Sequence, residues 1–275
     1  YFIISFSSRY KVVNKYIKKE MHLSSPPAIP PLVEFRSNLG QQLWNECTIK
    51  SQQMMDQYFE YDQPQLSGPA SLVMLINAIN VAYRIKLSNA KTEEEAEILM
   101  KKVDQGLQIT LSLDEMLEIQ TQYLNNTSKE TGFSMPQLEL LAMHLGFGTF
   151  LKIAQNEPNL SESQLEEIDN FIAKDSGSRE IFTNADKFKE FISEKLLVRV
   201  SGIIVNYDQS ILGISEEPKN VFSVIAGSQG DHVLVMDNGQ KGPMWVHVTK
   251  LFEAMAKIDI QSGIPMGALS VYELM

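Results

Sequence analysis

"QPQLSGPASLVMLINAI", residues 63–79, sets a serine before Gly68-Pro69-Ala70 and then an unbroken apolar run. The run has helical period, with Leu72, Leu75, Ile76 and Ile79 on the apolar side, and continues through Val81 and Ala82 to about Lys86. Proline near the start suits a first helical turn, where the amide it removes has no partner anyway. Ser67 therefore heads a long apolar helix. By the plainest reading it is the helix N-cap, satisfying a backbone amide. It also occupies the kind of position where acyl-transfer enzymes keep a nucleophile.

Upstream, "SNLGQQLWNECTIKSQQMMDQYFEY" (37–61) reads as helix, with Leu39, Leu43, Cys47, Met54 and Met55 roughly on one stripe. Cys47 on that stripe reads as a packed thiol rather than a reactive one. "SSPPAIPPL" (24–32) is proline-rich and extended. Downstream, "TEEEAEILMKKVDQG" runs from acidic to basic as the helix dipole favours. "SLDEMLEIQTQYLNN" opens on a cap at Ser112 or Asp114, and "SMPQLELLAMHLGFGTFLK" on a cap at Ser134 with a stop at Gly146. His144 falls in the latter helix among leucines, a packed or edge histidine. After the amphipathic "NADKFKEFISEKL" the period changes to two. "VRVSGIIVNYD", "NVFSVIAGSQ", "DHVLVMDNG" and "MWVHVT" alternate and are β-branched, "VTKLFEAMAKI" returns to helix, and "GALSVYEL" closes as a strand. The expectation is an α+β fold, a helical N-terminal half packed on an antiparallel C-terminal sheet, with helices segregated on one side.

Composition narrows the partners. A hydrophobic content of 44% with 21% charged residues is that of a soluble globular chain, and 275 residues suffice for a sizeable core. The net charge of −10 argues against nucleic acid and anionic membranes as partners. One cysteine excludes an intramolecular disulfide and a CxxC metal site, and His22, His144, His232 and His247 have no paired spacing, so no metal and no cofactor is expected. "YFIISF" is far too short to span a membrane, and "RYKVVNKYIKKE" after it is basic and amphipathic. Residues 1–22 read as a mobile or helical arm, with the remnant of a leader as the alternative. On the first reading the chain is cytoplasmic, on the second exported. Residues 23–275 read as one domain, a helical lobe over about 33–195 and a sheet lobe over about 196–275.

Four blocks, "LSSPPAIPPLVEFRSNLGQQLWNE", "YFEYDQPQLSGPASLVMLINAI", "FSVIAGSQGDHVLVMDNG" and "MWVHVTKLFEAMAKID", resemble in order the catalytic domain of phytochelatin synthases. The similarity runs from about Leu23 to Val271. It implies the fold of papain-like cysteine peptidases. It also implies an activity on glutathione: glycine is released, and a γ-glutamylcysteinyl acyl-enzyme passes to glutathione or to water. That chemistry needs a thiolate at a helix start, where the dipole and free amides lower its pKa and hold the oxyanion. It needs a histidine on a facing strand and a carboxylate to orient the ring.

By that resemblance the nucleophile position is Ser67, the histidine position is Val221 in Asn220-Val221-Phe222-Ser223, and the acid is Asp237. The family's oxyanion glutamine falls at Tyr61, or at Glu60 with a loop shorter by one residue, and Gln63 is too near the serine to replace it. An arginine expected after the acid is Gln240, with Lys241 beside it. Tyr61, Gln63, Gly68, Asn220, Gln240 and Lys241 are the candidate substrate-binding residues. Only the acid of the triad survives. Serine without a base is a weak nucleophile, and losing triad members costs a hydrolase on the order of 10⁴-fold or more. A Cys→Ser replacement at 67 would explain that one change and leave Val221, Tyr61 and Gln240 unexplained. His232 has odd spacing to Asp237 on one strand, hence the opposite face, and nothing directs His247 at Ser67.

Three readings follow. The first is a catalytically impaired pseudoenzyme keeping a glutathione or γ-glutamyl-peptide cleft for binding, or using the old groove for a protein partner. The second is an active transferase or hydrolase with Ser67 as nucleophile. The third is an exported interaction module, supported only by the N-terminal arm. The glycosylation-type sites at Asn125 and Asn159 are expected by chance and decide nothing. The chain resembles the short single-domain members, so metal sensing is not carried over; a homodimer stays open.

Overall fold

The computed structural model describes residues 29–60, 63–123, 132–155, 161–173, 179–198, 200–237, 242–259 and 261–274. The chain divides after Pro30, and the architecture below belongs to the unit Pro31–Met275. It is an α+β papain-like fold, with helices gathered in the front half and a large sheet drawn mostly from the back.

The strands are β1 (Leu32–Glu34), β2 (Ile49–Lys50), β3 (Phe147–Ala154), β4 (Arg179–Phe182), β5 (Ser201–Asp208), β6 (Asn220–Gln229), β7 (His232–Met236), β8 (Met244–His247) and β9 (Gly267–Glu273). Their order is β1-β8-β7-β6-β5-β9-β3-β4, with β2 added to β6. All pairings are antiparallel except β3 with β4, which is parallel.

Helices cover both faces. On one side lie α1 (Asn38–Glu46), α2 (Gln52–Asp56), α3 (Ser67–Ala78), α4 (Ala82–Ser88), α5 (Glu93–Asp104), α6 (Leu113–Tyr123), α7 (Met135–His144) and α8 (Glu162–Ala173). Leu43, Met54, Leu72, Met116, Leu138 and Ile168 of these helices share a core with Ile204, Phe222, Val224 and Trp245 of the sheet. On the other side α9 (Ala185–Leu196) and α10 (Val248–Met255) bury Phe188, Phe191, Leu251 and Phe252 against Ile203, Val205, Tyr207 and Val221. Segregation on one side, expected from the sequence, is therefore corrected. Covering on both faces is also why β5 and β6 are buried nearly throughout.

The helix around which the site is built, α3, is buried along all twelve residues, as a helix apolar all round must be. The sequence pattern carried it to Lys86. Instead it stops at Asn80, whose φ of 59° is left-handed, and α4 leaves at 109°. The long helix read over 37–61 is likewise two, α1 and α2, separated by β2. Capping follows the sequence more closely. Ser112 rather than Asp114 caps α6, exchanging hydrogen bonds of 3.2 and 2.8 Å with Glu115, and Ser134 forms a capping box with Gln137 on α7.

Candidate functional site

Ser67 is the first residue of α3, and the N-cap place belongs to Leu66, which makes no side-chain cap bond. The N-cap reading of Ser67 is thus corrected. Its hydroxyl turns to the sheet instead, and Ser67 Oγ accepts a 3.1 Å hydrogen bond from the Phe222 amide of β6. Only 3% of Ser67 is exposed. The bond sets the Val221–Phe222 peptide against the hydroxyl. The Val221 side chain is apolar and buried, packed in the α9–α10 core.

Gly68 keeps α3 close to its cover. A Cβ at that position would lie 3.2 Å from Phe133 Cβ and 3.5 Å from Phe222 Cδ2. Both phenylalanines are 4% exposed and wall in the head of the helix. Around them gather the segments that rim the site. Gly132 lies against Gln65 and the Gln261 side chain. Gln63 is exposed, and its backbone carbonyl accepts from Leu66. Asn220 Nδ2 donates to Asp259 Oδ1 at 3.1 Å, and Asp259 also accepts from Ser262 and the Gln261 amide.

Asp237 directly follows β7 and is 2% exposed. Its Oδ2 accepts from Gln209 Nε2 at 2.6 Å and from Tyr207 Oη at 3.4 Å, and Tyr207 Oη lies 3.2 Å from Ser223 Oγ. The Asp237 carbonyl takes a 2.9 Å bond from the Tyr58 hydroxyl. Burial, then the charges of Glu60 and Asp237, push the Tyr58 phenol well above its ordinary range, so it stays a donor. Asp237 is thus held by hydroxyl and amide donors. Gln209, Tyr207 and Ser223 were missed by sequence reasoning, and the polar Asn206-Tyr207-Asp208-Gln209 after an apolar run was the signal present.

Among the described residues, His232 and His247 lie at the end of the sheet away from Ser67. His232 pairs in register with His247, their rings edge to face with centroids 5.2 Å apart. His232 also pairs with Gln229, on the order of 20 Å along β6 from Phe222. His247 Nδ1 accepts from Thr249 and heads α10. His144 is exposed at the end of α7. Cys47 is buried at the end of α1, its thiol directed at the Ile49 and Ser228 carbonyls at 3.1 and 3.2 Å. Tyr61, Gln240 and Lys241 lie outside the described residues. A cavity of about 510 Å³ opens at the far end of α3, lined by Gln53, Asp56, Asn77, Asn80, Tyr83 and Gln108 among others, and none of the candidate site residues borders it. Among the described residues no group of three or more His, Cys, Asp or Glu is arranged to hold a metal ion.

A family model described as phytochelatin synthase matches residues 24–267. No curated protein matches the chain. The match covers most of the chain, which therefore belongs to the phytochelatin synthase family.

Proposed function

From that membership, we propose that the chain is a catalytically impaired member of the phytochelatin synthase family, retaining a cleft for glutathione or a related γ-glutamyl peptide as a binding site. The observation that carries this reading is the state of Ser67. Ser67 is buried, and its hydroxyl accepts a hydrogen bond from the Phe222 amide. A serine nucleophile needs an open approach and a base to take its proton. Valine at 221 can take none, and Asp237 has hydrogen-bonded donors of its own in Gln209 and Tyr207. The polar rim of Gln63, Gln65, Gln261 and the Asn220–Asp259 pair offers donors and acceptors suited to a peptide's amides and carboxylates.

The test is glycine release from glutathione by the purified chain, followed by mass spectrometry, with Ser67→Ala as control and calorimetric titration of glutathione alongside. Binding without release supports the reading. Release that disappears in the control overturns it and makes Ser67 a working nucleophile. Neither binding nor release assigns the groove to a protein partner instead. The double variant Ser67→Cys, Val221→His separates loss of the catalyst from loss of the pocket: restored release would show that only the catalyst is missing.

A further inference from the structure

Directly behind Ser67 the interior holds a second polar pair that the site does not use. Ser71 lies one helical turn on from Ser67 along the same stripe of α3. Leu75 continues the stripe one turn further, reaching β5, where a Cβ added to Gly202 would come within 2.7 Å of Leu75 Cδ1. The stripe therefore crosses from Phe222 of β6 to Gly202 of β5, and Ser71 lies between. On β5 the residues facing α3 alternate as Gly202, Ile204 and Asn206, because Ile203, Val205 and Tyr207 belong to the opposite core. Asn206 pairs in register with Phe222. Asn206 thus faces α3 level with Phe222, and Ser71 faces the same sheet one helical turn on from Ser67.

Both residues are 0% exposed. Ser71 Oγ and both amide atoms of Asn206 have no hydrogen-bond partner among the described residues. Nearly all buried polar atoms in native proteins are satisfied, by protein or by ordered water. Three orphaned atoms in one helix–sheet layer match the two to four partners that a buried water takes. A lone asparagine in the apolar run "GIIVNY" is otherwise a poor choice of residue for the middle of a buried strand.

We propose that Ser71 and Asn206 build an internal hydration site, in which an ordered water molecule bridges the Ser71 hydroxyl and the Asn206 amide. The water ties α3 to β5 one turn behind the point where Ser67 ties it to β6. The other orphaned hydroxyl, Ser270, is no part of the site, since it pairs with Ile203 and lies on the other face.

A high-resolution crystal structure of the intact chain tests this. The expected result is ordered density within hydrogen-bonding distance of Ser71 Oγ and an Asn206 amide atom. Side chains repacked onto each other or onto backbone groups, with no such density, would overturn the proposal. Thermal unfolding gives a second readout. Ser71→Ala and Asn206→Leu should each lower the midpoint, and the double variant should lose less than the sum, because both remove one shared water. If Asn206→Leu leaves the midpoint unchanged or raises it, the pair is a dry polar defect and no water is held there.

Discussion

Replacing Gln209 by leucine tests what Asp237 is for. The backbone of Gln209 is anchored independently, donating to the Lys219 carbonyl at 2.9 Å and accepting from Ile214 at 3.0 Å, so the substitution removes the side-chain amide and little else. What goes is the 2.6 Å donor to the Asp237 carboxylate. Both residues are nearly sealed from solvent, at 4% and 2% exposure, so water does not replace the lost partner. Tyr207 at 3.4 Å is too distant to compensate fully. Hydrogen bonds to charged groups contribute about 1.5–3 kcal/mol. In a domain of this size that corresponds to a midpoint lower by roughly 3–10 °C. The assay is urea and thermal unfolding of Gln209→Leu, Asp237→Leu and the double variant. The cycle should give a coupling above about 1 kcal/mol, as groups in direct contact do. A single variant within about 0.5 kcal/mol of wild type, or an additive double variant, would refute the view that Asp237 is retained for this bond.

Three further outcomes follow from the structure. Ser67→Ala leaves the buried Phe222 amide without its acceptor and should cost about 1–3 kcal/mol in urea unfolding, so the position is structural whatever its chemistry. Glu139→Gln should cost on the order of 3 kcal/mol, because Glu139 is 1% exposed at its side chain and Arg179, at 14%, would keep a largely desolvated charge; an unchanged midpoint would show the pair to be dispensable. Burial raises the Cys47 thiol above its ordinary value of 9.0, outweighing its contacts with the Ser228 and Ile49 backbone. Its contribution to stability is complete below that value and is lost as pH rises above it through the raised folded value, since the unfolded thiol ionises first. Wild type should therefore lose stability relative to Cys47→Ala as pH rises above 9.0, and react with a disulfide reagent only on unfolding.

Much of this was legible from residue order alone. Period and caps gave α3, α5, α6, α7 and α9, and alternation gave β5 to β9 close to where they lie. The misses share a cause, the competition between local pattern and tertiary pairing. "GFGTFLKIA", past the stop at Gly146, becomes β3 because β9 offers it a partner from Phe147 to Ile153. Ile49 and Lys50 interrupt a helical stripe because Ser228 and Gly227 of β6 recruit them. At the site, the positions of Ser67, Val221 and Asp237 could be picked by likeness. Their hydrogen bonds could not, since the partners Phe222, Tyr207 and Gln209 come from strands remote in sequence, and a backbone amide leaves no mark in a side-chain pattern.

The first strand of this unit has its partner almost at the other end of the chain: Leu32 to Glu34 pair with Met244 to Val246, and β2 with the far end of β6. A ribosome therefore releases β1 long before anything exists for it to pair with. Loop closure over such a span is slow and comes late. The helical front must wait as a partly assembled body, its sheet-facing leucines and methionines uncovered, until β5 to β8 have emerged. Premature termination anywhere before β8 should leave not a smaller folded protein but an unclosed one, sticky along its unfinished face and a natural client for chaperones.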